Sequence, residues 1–305
     1  MIEYKHKILK APMLIFIFYF WEKIMSAKNV LLTINKMFPL PVHPFNLQNE
    51  GKMSYAQWQF LKGADTIKNY TEYTSAKDMF ENKTVLDIGC GAAGKSLYYA
   101  SLGAQKVYGV DVVAHYKEES EKLAAEKNLS DKFEFRLCDA KQLAFDDETF
   151  DTIIMNDSME HVAEPEKVLA ECHRVLKRNG RLYINFCPYF HPFGAHLSDV
   201  IGIPWVHMLF SQKTMIAAYK DLICDMPDKD MRIKFRFSKD ENGNETISYI
   251  NKMTIKRFNK ILKNSPFKVI YRREIPLRTA FVPLAKCPAV KEMFVKMVAT
   301  VLEKQ

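Results

Sequence analysis

Short apolar runs alternate with longer amphipathic stretches through the middle of this chain. Val85–Ile88, Val107–Val110, Phe133–Cys138, Phe150–Met155 and Arg181–Phe186 are dominated by aliphatic and aromatic side chains, the pattern of buried strands. Between them lie stretches with apolar residues at helical spacing. Lys95–Leu102 is ended by Gly103. His115–Lys127 turns Leu123 and Ala124 inward. Glu164–Leu176 starts at Glu-Pro and is closed by Asn179-Gly180. Strand alternating with helix predicts an α/β fold with a doubly wound, largely parallel sheet.

The flanks are less regular. Residues 38–50 contain three prolines and read as an irregular linker, and Ser54–Tyr73 reads as a helix lying over the ligand crevice. Its Tyr55, Trp58 and Gly63 are candidates for ligand contact or for core packing. Further on, Ser211–Tyr219 reads as a helix. Met231–Phe237 and Thr246–Ile250 read as a basic hairpin around Asn-Gly. Thr254 caps a helix Ile255–Leu262, Phe267–Tyr271 is a late strand, and Lys291–Leu302 reads as an amphipathic closing helix. This divides the chain into an extension and linker (1–50), a core (51–187), a lid insertion with the hairpin (188–253) and a C-terminal completion of the sheet (254–305).

Composition narrows the class. The chain has 305 residues, 48% of them hydrophobic, so it can bury a substantial core. Six cysteines stand apart with no C-x-x-C pair, which excludes a zinc framework or disulfide scaffold and fits a reducing cytoplasm. The net charge of +8 is uneven: residues 51–210 carry 18 basic and 23 acidic side chains, residues 211–305 carry 20 and ten. Ala11–Trp21 is an apolar, aromatic-rich run preceded by Lys5, Lys7 and Lys10. It is shorter than the roughly 20 residues of a membrane span. It fits the core of a signal peptide, but unpaired cysteines argue against export. The remaining readings are a helix packed on the domain, or peripheral membrane contact through residues 8–24.

The chemistry centres on residues 83–111. Val85–Ile88 breaks into Gly89-Cys90-Gly91-Ala92-Ala93-Gly94, a helix follows, and the next strand closes on Asp111. Glycines let backbone pass close to a ligand with its amides turned toward it, and an acid at the second strand end can accept from both ribose hydroxyls. The spacing G-x-G-x-x-G leaves two ligands open, NAD or S-adenosylmethionine. Asp87 favours the second: it would repel a pyrophosphate and attract the amino group of a methionine moiety.

The blocks VLDIGCGAAG, YGVD, LCDA, FDTIIMNDSMEHV and AECHRVLKRNGRLYINF resemble, in order and spacing, the class I S-adenosylmethionine-dependent methyltransferases, especially those of quinone biosynthesis. The resemblance covers residues 80–187. It implies a Rossmann-like sheet of seven strands, six parallel and one antiparallel, with S-adenosyl-L-methionine as cofactor. It implies that Asp87 and the turn Gly89, Cys90, Gly91 and Gly94 hold the methionine part, Asp111 the ribose, and Asp139 with Ala140 the adenine. Asn156 would lie beside the transferred methyl group.

Asp157-Ser158-Met159-Glu160-His161 follows the fourth strand. Asp157, Glu160 and His161 share a face if a helical turn forms. Some relatives carry E-x-x-E-H here and bind a divalent metal; Asp157 shortens the first arm. Three roles compete: His161 as general base or acceptor-orienting group, a metal site of Asp157, Glu160 and His161 with an outside histidine, or capping and packing. His191 and His196 follow the fifth strand among aromatic residues and are the expected extra ligands, or parts of a lid over the acceptor. The resulting expectation is O- or C-methylation of a small apolar or aromatic acceptor. Nucleic-acid methylation is the alternative, disfavoured because Asn156-Asp157-Ser158 is not the Pro-Pro-aromatic block of amino-methylating enzymes and Cys187-Pro188 is reversed from the Pro-Cys of cytosine C5 enzymes. A binding subunit without activity is the non-enzyme alternative. The acceptor's identity and the oligomeric state are not legible.

Overall fold

The computed structural model describes residues 26–305. The expectation for residues 8–24 lies outside the described residues. The strands are β1 (Thr84–Ile88), β2 (Lys106–Asp111), β3 (Phe133–Leu137), β4 (Phe150–Asn156), β5 (Leu176–Phe186), β6 (Phe237–Lys239), β7 (Glu245–Ile247), β8 (Lys268–Pro276) and β9 (Val295–Glu303). Seven of them form one sheet in the order β3-β2-β1-β4-β5-β9-β8. β9 runs antiparallel to both β5 and β8, and the pairings from β3 through β5 are parallel, so the sheet has six parallel strands and one antiparallel.

The chain clusters into two compact units. One takes the stretch ending at Pro41 and Leu197–Ser248; the other takes Val42–His196 and Tyr249–Gln305 and contains the sheet. Side chains of the central strands alternate between two cores. Leu86, Ile88, Ile153, Met155, Leu182 and Ile184 join one, with the helices Pro165–Val175 and Ile255–Lys263. Val85, Ile154 and Tyr183 join the other, with the helices Tyr55–Ile67, Gly94–Ser101 and Tyr116–Glu126. Burial on both faces explains why these strands read as nearly continuous apolar runs. The strand order reverses between β1 and β4. A crevice opens outside the carboxyl ends of strands at such a point, and ligands of open α/β sheets bind there.

Three expectations are corrected. Lys291–Phe294 is helical for one turn only, and Val295–Glu303 is a strand. Val298, Ala299, Thr300, Val301 and Leu302 are consecutively buried, as befits a strand covered on both faces rather than a one-sided helix. Residues 38–50 are not wholly irregular: Pro44 opens the helix Pro44–Asn49, because proline at the first helical position loses no hydrogen bond. Lys229–Arg236 is helical, which leaves β6 and β7 as a shortened hairpin. Arg232 and Arg236, one turn apart, both reach the buried Asp199, and Arg232 also pairs with Asp228. Pairing those charges takes precedence over the two-residue alternation. In the same unit Ser211 caps the helix Gln212–Leu222.

Candidate active site

The glycine turn leaves β1 in the left-handed region at Gly89 (φ 69°) and Gly91 (φ 57°), which only glycine adopts without strain. The amides of Gly89 and Cys90 bond back to the carbonyl of Val110, so the turn leans on β2. Asp111 receives the amide of Gly91 on Oδ2 at 2.9 Å and that of Val113 on Oδ1 at 3.0 Å. Burial raises its carboxyl above the usual range, and the amide bonds oppose this.

Asp87 lies beneath the turn. It is 4% exposed and accepts the Ser96 hydroxyl at 2.6 Å. Burial pushes its carboxyl up to about 7, with that hydrogen bond and the Lys95 charge opposing. A cationic amino group arriving here would reverse the shift.

The helix Tyr55–Ile67 closes on the turn. Gln59 donates to the carbonyl of Cys90 at 3.2 Å and accepts from the amide of Gly94 at 3.2 Å. A Cβ on Gly94 would meet the Ala56 carbonyl at 1.9 Å, so this glycine exists for the close approach of two helices. Tyr55 reaches the turn, since a Cβ on Gly91 would stand 3.2 Å from its hydroxyl. Gly63 instead packs against Tyr98.

At the end of β4, Asn156 is buried in a polar network. It accepts from Tyr70 and Asn185, each at 2.7 Å, and donates to the Tyr99 hydroxyl at 3.1 Å. Asp157 has φ 52° and pairs with Lys95 at 2.8 Å. Ser158 bonds to the Ile88 carbonyl, tying this segment to β1. Glu160 is 2% exposed; burial, then the Asp157 charge, hold its carboxyl well above the usual range. Its Oε1 accepts from the amide of Cys187, and its Oε2 is buried without a hydrogen-bond partner. Asp139 is exposed after β3, its Oδ1 accepting from the amide of Lys141, with Ala140 half-buried beside it.

His161 is the best-oriented side chain of the group. Its Nδ1 lies 2.8 Å from the Tyr249 carbonyl. A carbonyl only accepts, so Nδ1 carries the proton and the lone pair sits on Nε2. The His161 ring stands 4.9 Å from that of His196 and 4.1 Å from that of Tyr249. His191 turns into its own loop, where its Nδ1 accepts from the amide of Phe193.

Residues 86–184 match a family described as a methyltransferase domain. The chain carries a class I S-adenosylmethionine-dependent methyltransferase domain. A tocopherol O-methyltransferase of Arabidopsis thaliana is 33% identical over 102 residues, 33% of this chain and 29% of the relative. A ubiquinone biosynthesis O-methyltransferase of Parvibaculum lavamentivorans is 30% identical over 166 residues, 54% of this chain and 60% of the relative. The chain thus covers less than two thirds of either relative. A solved structure from Listeria monocytogenes, assigned as an S-adenosylmethionine-dependent methyltransferase, is 17% identical. It superposes with a TM-score of 0.51 over 80% of this chain and 99% of that one, a likeness of fold.

S-adenosyl-L-methionine is the cofactor of this methyltransferase domain. The residues present suit it: a glycine turn, an acid beneath it at Asp87 and an acid at the second strand end in Asp111. Glu160, His161 and His196 also bring one donor atom each to within 4.8 Å of one another, as do Asp157, Glu160 and Cys187. The orphaned Glu160 Oε2 makes the first of these sets suit a divalent transition ion. Sequence reasoning did not single out Gln59, Lys95, Ser96, Tyr70, Tyr99 or Tyr249. Lys95 and Ser96 open the helix after the turn, a signal that was available. Tyr249 is 88 residues from His161 and nothing local connects them.

Proposed function

We propose that this protein transfers the methyl group of S-adenosylmethionine to a hydroxyl of a small aromatic or apolar acceptor, with His161 as general base. The observation that carries this reading is the hydrogen bond from His161 Nδ1 to the Tyr249 carbonyl. It fixes the tautomer with Nε2 as the proton-accepting atom, just after the strand that faces the cofactor turn. Two relatives are named O-methyltransferases and one of similar identity is named a sterol 4-C-methyltransferase, so the choice of oxygen rests on the proton-accepting His161.

The cofactor supplies an already activated methyl group on a sulfonium. The chain's own work is alignment, exclusion of water and removal of the hydroxyl proton. Tyr55 and Tyr116 have ring centroids 5.7 Å apart, and Tyr249 lies against His161. These faces suit a flat apolar acceptor. His161 Nε2 takes the hydroxyl proton as the acceptor oxygen becomes nucleophilic. If a divalent ion is bound, Glu160, His161 and His196 would hold it; His161 Nε2 would then serve as a ligand in place of its role as base, and the ion would acidify the acceptor hydroxyl.

Purified protein is to be incubated with methyl-labelled S-adenosylmethionine and a panel of phenols, catechols and aliphatic alcohols. The expected product is a labelled methyl ether of an aromatic hydroxyl. Label appearing on carbon, or full turnover by His161→Ala, would overturn the reading.

A further inference from the structure

We propose that the edge of the sheet formed by Ile255–Lys286 is a docking surface for an anionic lipid bilayer. Residues 249–305 carry 13 basic and three acidic side chains, so this stretch alone outweighs the net +8 of the whole chain. Its carboxylates are spent within the fold: Glu274 takes Arg272 and Lys291, and Glu292 accepts the backbone amide of Lys256. Arg273 and Lys304 find acids elsewhere in the same unit. Among the described residues, Lys256, Lys260, Lys263, Lys268, Arg278 and Lys286 are exposed and have no acidic partner.

Their placement is ordered. The helix Ile255–Lys263 buries Ile255, Phe258, Ile261 and Leu262 in the core. Lys256, Lys260 and Lys263, at i, i+4 and i+7, stand in a row on its opposite face. β8 follows directly and is the outermost strand, with none of its nine residues fully buried. The excursion between β8 and β9 abuts the start of that helix through the Lys256–Glu292 bond. Two aliphatic side chains of the same stretch are also exposed, Val269 at 44% and Leu284 at 39%.

A row of unneutralised cations alone would suit any polyanion. Exposed aliphatic side chains in the same stretch favour a bilayer, whose headgroups attract the lysines and whose acyl boundary accepts Leu284 and Val269. Nucleic acid offers no such apolar layer; its readers use aromatic stacking platforms. This surface is separate from the candidate active site and its assignment does not depend on the acceptor.

The test is flotation of the full-length protein with phosphatidylcholine vesicles and with vesicles containing phosphatidylglycerol, between about 0.1 M and about 1 M NaCl, over which the screening length shrinks from ~10 Å to ~3 Å. Binding is expected only to the anionic vesicles and only at low salt. The triple variant Lys256→Glu, Lys260→Glu, Lys263→Glu should lose about 100-fold in vesicle affinity, roughly fivefold or more per lysine. Leu284→Asp should weaken binding at every salt concentration. Unchanged cofactor affinity shows that each variant is folded; should the triple fail to fold, Arg278→Glu with Lys286→Glu gives the same reading. Undiminished vesicle binding by the variants, equal binding to neutral vesicles, or tighter binding of a DNA or RNA oligonucleotide than of anionic vesicles at the same salt would each overturn the proposal.

Discussion

His161 is oriented by backbone: its Nδ1 donates to the carbonyl of Tyr249 at 2.8 Å. The ring is therefore held in one tautomer by a neutral acceptor. Replacing His161 by alanine should lower kcat by about 100-fold or more, the usual contribution of a positioned base. Cofactor affinity by calorimetry should stay within about threefold, because the side chains proposed to hold the cofactor are others. Equal losses in both quantities would point to a structural role.

The proposed pairing of Asp87 with the cofactor's amino group, together with its raised carboxyl, predicts a cofactor affinity that depends on pH. In the free protein this group is protonated below about 7. Pairing with a cationic amino group requires it ionised, so binding must expel a proton at lower pH. Affinity should peak between about pH 7 and 8, fall toward tenfold per unit below about 7, and fall again above about 8 as the cofactor's own amino group loses its proton. Asp87→Asn should bind weakly and without that slope. Stability of the free protein follows the opposite sense: a raised carboxyl stabilises the fold at low pH and loses that contribution as pH rises through about 7. The melting temperature contribution of Asp87 should therefore decline between about pH 4 and 7 and level off above, and this decline should be missing in Asp87→Asn.

Asn156 holds three buried partners at once, Tyr70, Tyr99 and Asn185. Asn156→Ala strands all three polar groups, and each unsatisfied group costs about 1–3 kcal/mol. Relaxation will recover part of that, so a loss of about 2–4 kcal/mol is expected in urea denaturation. Asn156→Asp should lose less stability, since an acceptor for Tyr70 and Asn185 remains.

Gly94 tests the contact between the cofactor turn and the helix above it. Its absent Cβ would lie 1.9 Å from the Ala56 carbonyl. Gly94→Ala must push the helix Tyr55–Ile67 away and take Gln59 with it. Cofactor affinity should fall at least tenfold, with tryptic cleavage between residues 50 and 70 accelerated.

The donor set Glu160, His161 and His196 predicts a thermal shift with a divalent transition ion. Zinc or manganese should raise the melting temperature of wild type and leave His196→Ala unmoved. Cobalt spectroscopy of wild type against Glu160→Gln supplies a second readout independent of turnover. Identical spectra of the two proteins would remove Glu160 from the set.

The sequence by itself determined the parallel half of the sheet and the cofactor. Strands β1, β4 and β5 are buried along most of their length on both faces, so each shows as an apolar run, and Gly89 and Gly91 supply the left-handed backbone of the turn. Asp87 and Asp111 were legible as strand-end carboxylates; in the fold Asp111 accepts the Gly91 amide of the turn and Asp87 the Ser96 hydroxyl. Tertiary structure alone decided the rest. Val295–Glu303 carries a helix-like apolar pattern, and only the open slot between β5 and β8 makes it a strand. Met231–Arg236 alternates like a strand, and only the buried Asp199 makes it a helix. The partner of His161 comes from a carbonyl 88 residues away, and a backbone oxygen leaves no trace in residue identity. Periodicity reports how a segment is buried; which atoms meet across the fold is set by packing between distant segments.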